Sequence, residues 1–165
     1  MNVQYSIDEF DWIDIYTFSK GTIIQKGRRG IYKNIMPIVG KLQIRFGCYC
    51  WRNSEAVFYI GSFSKDYSNK EFTTNLMGRI HNYLQNHRIN KNGRKNTNLM
   101  VFDKLNKQLT QSDMFLSYLK FNEISVNDDT ISYNKYSNDS LLVKTVEQVL
   151  IDTYKRINQC DWNRI

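Results

Sequence analysis

Two tyrosines in glycine-bounded tripeptides, Gly47-Cys48-Tyr49 and Tyr59-Ile60-Gly61, stand ten positions apart, and Arg79 comes after them on a segment of helical spacing. A phenol relays protons usefully only where a neighbouring cation favours phenolate and the nucleophile lies within about 2.6–3.2 Å. A guanidinium is always charged and forks onto phosphate oxygens. Tyr83 lies four residues after Arg79, so the two share a helix face. Glu147 is the other candidate. The polar stripe of the last helical segment is Lys144, Gln148, Asp152 and Lys155, whereas Glu147 projects among Val143, Ile151 and Tyr154 at about 100° per residue. A carboxylate beside apolar neighbours costs free energy unless it is paired or binds a cation. Phosphodiester hydrolysis needs an activated water, stabilised charge on the phosphoryl oxygens, and a proton or metal for the departing oxygen. One carboxylate is enough for Mg2+, which keeps several waters and binds substrate phosphate as well. The plainer accounts are a solvated helix arginine for Arg79 and a buried ion pair for Glu147.

The elements that must position these groups start with a hairpin. The runs Arg45-Phe46-Gly47-Cys48-Tyr49-Cys50-Trp51 and Ala56-Val57-Phe58-Tyr59-Ile60-Gly61-Ser62 are aromatic and β-branched, and a short polar turn joins them. Residues facing each other across an antiparallel pair are about 5 Å apart, so the two phenols are expected side by side. The pattern predicts strands over 41–51 and 56–62, a loop over 63–71, and an amphipathic helix over 74–86 through Leu76, Ile80, Tyr83 and Leu84. A basic loop over 89–96, a helix over 98–109, a strand over 114–121 and a turn-rich loop over 127–138 come next. Asp139 or Ser140 can cap a final helix reaching about residue 157. That order predicts an α+β fold, a small, mostly antiparallel three-stranded sheet flanked by helices. Residues 1–40 read as a basic N-terminal extension packed on or preceding a single core domain over 41–165.

With 165 residues, 41% of them hydrophobic, the chain can bury one core. The stretch 1–12 is acidic and lacks the apolar run of a signal peptide, and no run approaches the roughly 20 residues of a spanning helix. The net charge of +7 is concentrated. Residues 15–54 contain no Asp or Glu but hold Lys20, Lys26, Arg28, Arg29, Lys33, Lys41, Arg45 and Arg52. Residues 72–101 are also acid-free and hold Arg79, Arg88, Lys91, Arg94 and Lys95 with His81 and His87. Cations clustered on both sides of the hairpin favour phosphate contact over a merely solvated basic surface. Cys48, Cys50 and Cys160 lack zinc-ligand spacing and read as reduced, buried thiols, the first two facing away from Tyr49.

The two strand motifs, with Arg79 and Glu147 behind them, resemble the GIY-YIG nuclease family, whose name abbreviates those motifs. Cys48 stands where Ile is usual, and the resemblance covers about residues 41–163. The layout looks most like small stand-alone phage endonucleases of the endonuclease II type, with restriction enzymes of the family as the runner-up. The resemblance implies hydrolysis of double-stranded DNA by a one-metal mechanism with Mg2+ or Mn2+, in the cytoplasm of a bacterial or phage-infected cell. It involves no membrane and leaves a homo-oligomer open. Carried over by position, it makes Glu147 the metal ligand, Arg79 the clamp on the scissile phosphate, and Tyr49 and Tyr59 the tyrosines that position or deprotonate the attacking water. Tyr83 occupies a position that is often His, and is similar there to the incision subunit of bacterial nucleotide-excision repair; it shifts the general-base role toward Tyr49. His81 falls roughly opposite Arg79 on the helix. The run Glu147-Gln148-Val149-Leu150-Ile151-Asp152-Thr153-Tyr154 matches the family's closing segment, but Arg156 stands where Pro is common. The closing Asn is assigned to Asn163, which follows Trp162, with Asn158 as the rival. Asn98 resembles a recurrent family position at a helix start. Gly30-Ile31-Tyr32 is an alternative first motif that would need a long insertion before Tyr59, whereas the shorter connection from Tyr49 makes an ordinary hairpin. The rival classes are a catalytically weak nucleic-acid-binding module of the same fold and a structural or inhibitor protein with a basic surface.

Overall fold

A strand that alternates large apolar side chains on both faces must be covered on both faces. The computed structural model describes residues 12–25, 34–35, 37–39, 46–64, 76, 80, 97–119, 123–126, 129–132 and 139–163. Its elements are β1 (Ile13–Phe18), β2 (Phe46–Arg52), β3 (Val57–Ser64), α1 (Thr97–Gln108), β4 (Met114–Leu119), β5 (Glu123–Val126), β6 (Asp129–Ser132) and α2 (Asp139–Lys155). Strands β1 to β4 form one antiparallel sheet in the order β1-β4-β2-β3, and β5 and β6 pair as a separate ribbon. Alternate residues of β2 enter two different cores. Tyr49 and Trp51 pack with Val101, Phe102 and Leu105 of α1 and with Leu109 just after it, and Cys48 and Cys50 pack with Val146, Leu150, Ile151 and Tyr154 of α2. The fold is α+β, with helices on both faces of the sheet.

The sheet has four strands where the sequence predicts three. The added strand is β1, which comes from the segment read as an extension and pairs with β4 along Ile13↔Tyr118 to Phe18↔Met114. A register shift between Asp14 and Tyr16 explains why its pattern is hard to see. The extra residue, Ile15, breaks the two-residue alternation, so Ile15 and its neighbour Tyr16 both pack against one core. The ribbon β5–β6 is the other addition, since 127–138 reads as turn-rich loop. The helix predicted over 74–86 is described only at Leu76 and Ile80, which are helical and buried.

The β2–β3 turn is set by Asn53. Its Oδ1 accepts from the amides of Glu55 and Ala56, both at 2.8 Å, and its own N–H donates to the Ala56 carbonyl at 2.9 Å. Beside this turn, β1, β2 and β4 are tied through Ser117, a fully buried polar residue. Its hydroxyl accepts from Arg52 Nε at 2.9 Å and donates to Asp14 Oδ1 at 2.5 Å, and Arg52 Nη2 reaches the same Asp14 oxygen at 2.5 Å. Arg52, counted in sequence with the basic stretch, is thus held to β1 and stacks 5.0 Å from the Phe115 ring centroid.

An open sheet ends in unpaired backbone groups, and β3 is an end strand. The residues after α2 cover it. Asn158 takes a left-handed conformation, φ 61°, with its N–H on the Lys155 carbonyl and the N–H of Gln159 on that of Tyr154, which stops the helix and turns the chain. The chain then runs beside β3. Gln159 Oε1 accepts from the Val57 amide at 2.8 Å, Cys160 N–H donates to the Val57 carbonyl at 2.8 Å, and Trp162 N–H donates to the Phe58 carbonyl at 3.1 Å. Trp162 also stacks on Phe58 with centroids 5.0 Å apart.

Candidate active site

The tyrosine hairpin forms with the short connection, but Tyr49 and Tyr59 do not face each other across it as the sequence predicts. Tyr49 lies opposite Gly61 and Tyr59 lies opposite Trp51, so the two phenols are diagonal neighbours with ring centroids 6.3 Å apart. The register shifts between Trp51 and Arg52, and the extra residue, Phe58, re-aims the strand beyond it so that Tyr59 shares the face of Tyr49. Both motif glycines have a packing reason. A Cβ on Gly61 would meet the ring and hydroxyl of Tyr49 well inside van der Waals contact, so the phenol lies against the backbone of the end strand. A Cβ on Gly47 would come 2.6 Å from the Leu119 carbonyl oxygen and 3.1 Å from the Phe63 ring. Tyr49 is 2% exposed, whereas Tyr59 is half-buried and has the greater access to solvent.

Glu147 reaches the same strand from the other side. It is half-buried on α2, and its Oε2 accepts from the Ser62 hydroxyl at 2.5 Å. Ser62 follows Gly61 directly, and side chains of consecutive strand residues point to opposite faces. The Tyr49 phenol and the Glu147 carboxylate therefore bracket one dipeptide, Gly61-Ser62, from the two faces of the sheet. Standard bond lengths along this path keep the two groups within about 13 Å of each other. Cys48, opposite Ser62 in the ladder, lies near Glu147. Burial, the carboxylate and the Cys50 thiol together raise the Cys48 thiol well above its ordinary range, so it stays protonated at neutral pH. Burial raises Cys50 likewise, and all three cysteines are free and buried. The half-buried carboxylate and the hydroxyl are oxygen donors of the kind a hard cation takes, whereas the protonated Cys48 thiol is no ligand for one. Among the described residues no three His, Cys, Asp or Glu side chains cluster as a metal site.

Asn163 is committed to the backbone. Its Oδ1 accepts from the Ile60 amide at 2.9 Å and its Nδ2 donates to the Ile60 carbonyl at 2.8 Å, so its amide stands in for a missing strand. With Trp162 it clamps the residues on either side of Tyr59, the geometry of a positioning residue. Asn158, its rival in sequence, is the left-handed residue that ends α2. Asn98 falls in the first turn of α1. Arg79, His81 and Tyr83 lie outside the described residues, as do Tyr32 and most cations of the two acid-free stretches. Leu76 and Ile80, which flank Arg79 in sequence, are buried in the same cluster as Tyr49. Sequence reasoning passes over Ser62 because its partner is 85 residues away; the available signal is a hydroxyl directly after Tyr59-Ile60-Gly61. No helix among the described residues is long and apolar enough to cross a membrane. Comparison with protein-family models, curated proteins and solved structures finds no match to this chain.

Proposed function

We propose that the chain is a Mg2+- or Mn2+-dependent endonuclease of GIY-YIG type that hydrolyses phosphodiester bonds in double-stranded DNA. The observation that carries this reading is the placement of Tyr49 and Tyr59 on one face of the β2–β3 hairpin, with ring centroids 6.3 Å apart. Arg79 is assigned the clamp on the scissile phosphate, where its planar fork matches two oxygens. Tyr49 and Tyr59 are assigned to position or deprotonate the attacking water, and Tyr83, four residues after Arg79 in sequence, is assigned the family position that is often His. Glu147 would hold the cation, which when bound supplies positive charge to the phosphoryl and departing oxygens. Asn163 fixes the strand that carries Tyr59. The basic stretches hold the duplex through its phosphates, a contact that weakens as salt rises.

Burial of Tyr49 favours one other reading, a nucleic-acid-binding module of the same fold without catalysis. Incubating supercoiled plasmid with the protein separates the two. The endonuclease nicks or linearises it with Mg2+ and leaves it intact with chelator; salt-sensitive binding with no metal-dependent cleavage would support the binding module.

A further inference from the structure

We propose that the chain after α2 is a register lock on β3, with Trp162 as the positioning residue that keeps Tyr59 on the face of Tyr49; this rests on the endonuclease reading above, which sets both phenols at the attacking water. In a regular antiparallel strand a residue turns its N–H and C=O to the same neighbour, and the next residue turns to the other. Val57 turns both groups to the tail, its amide to Gln159 Oε1 and its carbonyl to the Cys160 N–H. In a regular ladder Phe58 would turn to β2, yet its carbonyl also accepts from the tail, from the Trp162 N–H at 3.1 Å. Tyr59 pairs with Trp51 across the hairpin, and Ile60 turns outward again to Asn163. Two successive carbonyls turned to one side break the ladder as a bulge does, and the tail supplies a donor for each. The side chains report the same break. Val57 and Ile60 enter the core that α2 covers, whereas Phe58 and Tyr59 both pack against the core that holds Tyr49. Without the extra residue, strict alternation from Val57 would send Tyr59 to the other face. Trp162 grips Phe58 twice, by its N–H on the carbonyl and by its ring on the Phe58 ring, with centroids 5.0 Å apart and planes 21° from parallel. It is itself buried in the same core as Tyr49, so the grip has little room to slide.

Two readouts on the full chain test the role: the nuclear Overhauser contact between the Tyr49 and Tyr59 rings, and plasmid cleavage kinetics in saturating Mg2+. Ring centroids 6.3 Å apart bring the ring protons close enough for that contact, which reports the shared face without any cleavage. Trp162→Ala removes the stack and is expected to abolish the contact in a chain that stays folded by circular dichroism. Misplacing a reacting group by about 1 Å can cost about 100-fold, so kcat should fall about 10-fold or more while KM for the plasmid changes far less. Trp162→Phe, which keeps a ring to stack on Phe58, should restore both the contact and kcat. Should Trp162→Ala unfold, Trp162→Leu, which keeps apolar bulk without a stacking ring, is read in its place with the same expectation. A Tyr49–Tyr59 contact that persists at parental strength in the folded variant would overturn the lock and leave the endonuclease reading standing. A parent that shows the contact but no Mg2+-dependent cleavage would overturn the endonuclease reading and, with it, the positioning role.

Discussion

Replacing Gly61 by alanine sets a Cβ into space that the Tyr49 ring occupies. The ring edge carbon Cε1 would be 2.7 Å from the new atom, and the hydroxyl and its ring carbon are closer still. Carbon atoms rest at about 3.5–4.0 Å, so the ring must retreat by roughly 1 Å. Little room exists for that, because Tyr49 is 2% exposed and is bounded by Tyr59 and Phe63, whose ring centroids are 6.3 and 6.5 Å away. Overpacking of this kind costs about 1–3 kcal/mol. For a chain of this size each kcal/mol lowers Tm by about 2–4 °C, so Gly61→Ala should lose roughly 2–12 °C. The cause is isolated by a double-mutant cycle measured by urea unfolding. In a Tyr49→Ala background the ring is gone, and Gly61→Ala should cost under about 0.5 kcal/mol, giving a coupling energy of about 1–3 kcal/mol. Additive single and double mutants would refute the stacking of Tyr49 on Gly61 and the hairpin register derived from it.

Asn163→Ala leaves the Ile60 peptide group without its side-chain partners, and two lost hydrogen bonds at a buried residue should cost about 1–3 kcal/mol. Amide exchange at Ile60 should accelerate, and unchanged exchange would contradict the edge-capping role. Burial raises the Tyr154 phenol and the Cys160 thiol to about 12 from ordinary values of 10.0 and 9.0. The unfolded chain therefore loses these protons first, so stability is full below about pH 9 and falls as pH rises toward 12. Urea midpoints at rising pH should show the fall and Tyr154→Phe should lessen it; a flat profile to pH 12 would oppose it. Tyr49→Phe should slow cleavage about 100-fold or more while Tyr32→Phe changes it less than about 10-fold, and the reverse order would move the first motif to Gly30-Ile31-Tyr32.

The hairpin is legible in the sequence because its signals are local: two alternating runs and a polar turn closed by Asn53. Strand β1 is not, because a bulge at Ile15 breaks the alternation and its partner β4 lies about 100 residues on, as Asp14↔Ser117 illustrates. Helical arithmetic places Glu147 off the solvent stripe of α2, and it is half-buried. That arithmetic cannot reveal Ser62, since a hydrogen bond across 85 residues leaves no periodic trace. Asn163 is a candidate from sequence, but its work on the Ile60 backbone depends on the turn at Asn158, whose left-handed conformation only the folded chain displays. Ser117 is likewise silent in sequence. A lone serine in an apolar strand shows its purpose only once Asp14 and Arg52 are brought to it.

The proposed function turns on the carboxylate of α2 being a catalytic metal ligand at the tyrosine hairpin. Plasmid cleavage in Mg2+ and duplex binding, measured in parallel for the parent and Glu147→Gln, test it most directly. The substitution removes a charged ligand without adding bulk, so Mg2+-dependent cleavage should be lost with nearly unchanged duplex affinity. Cleavage by Glu147→Gln at the parental rate would contradict it.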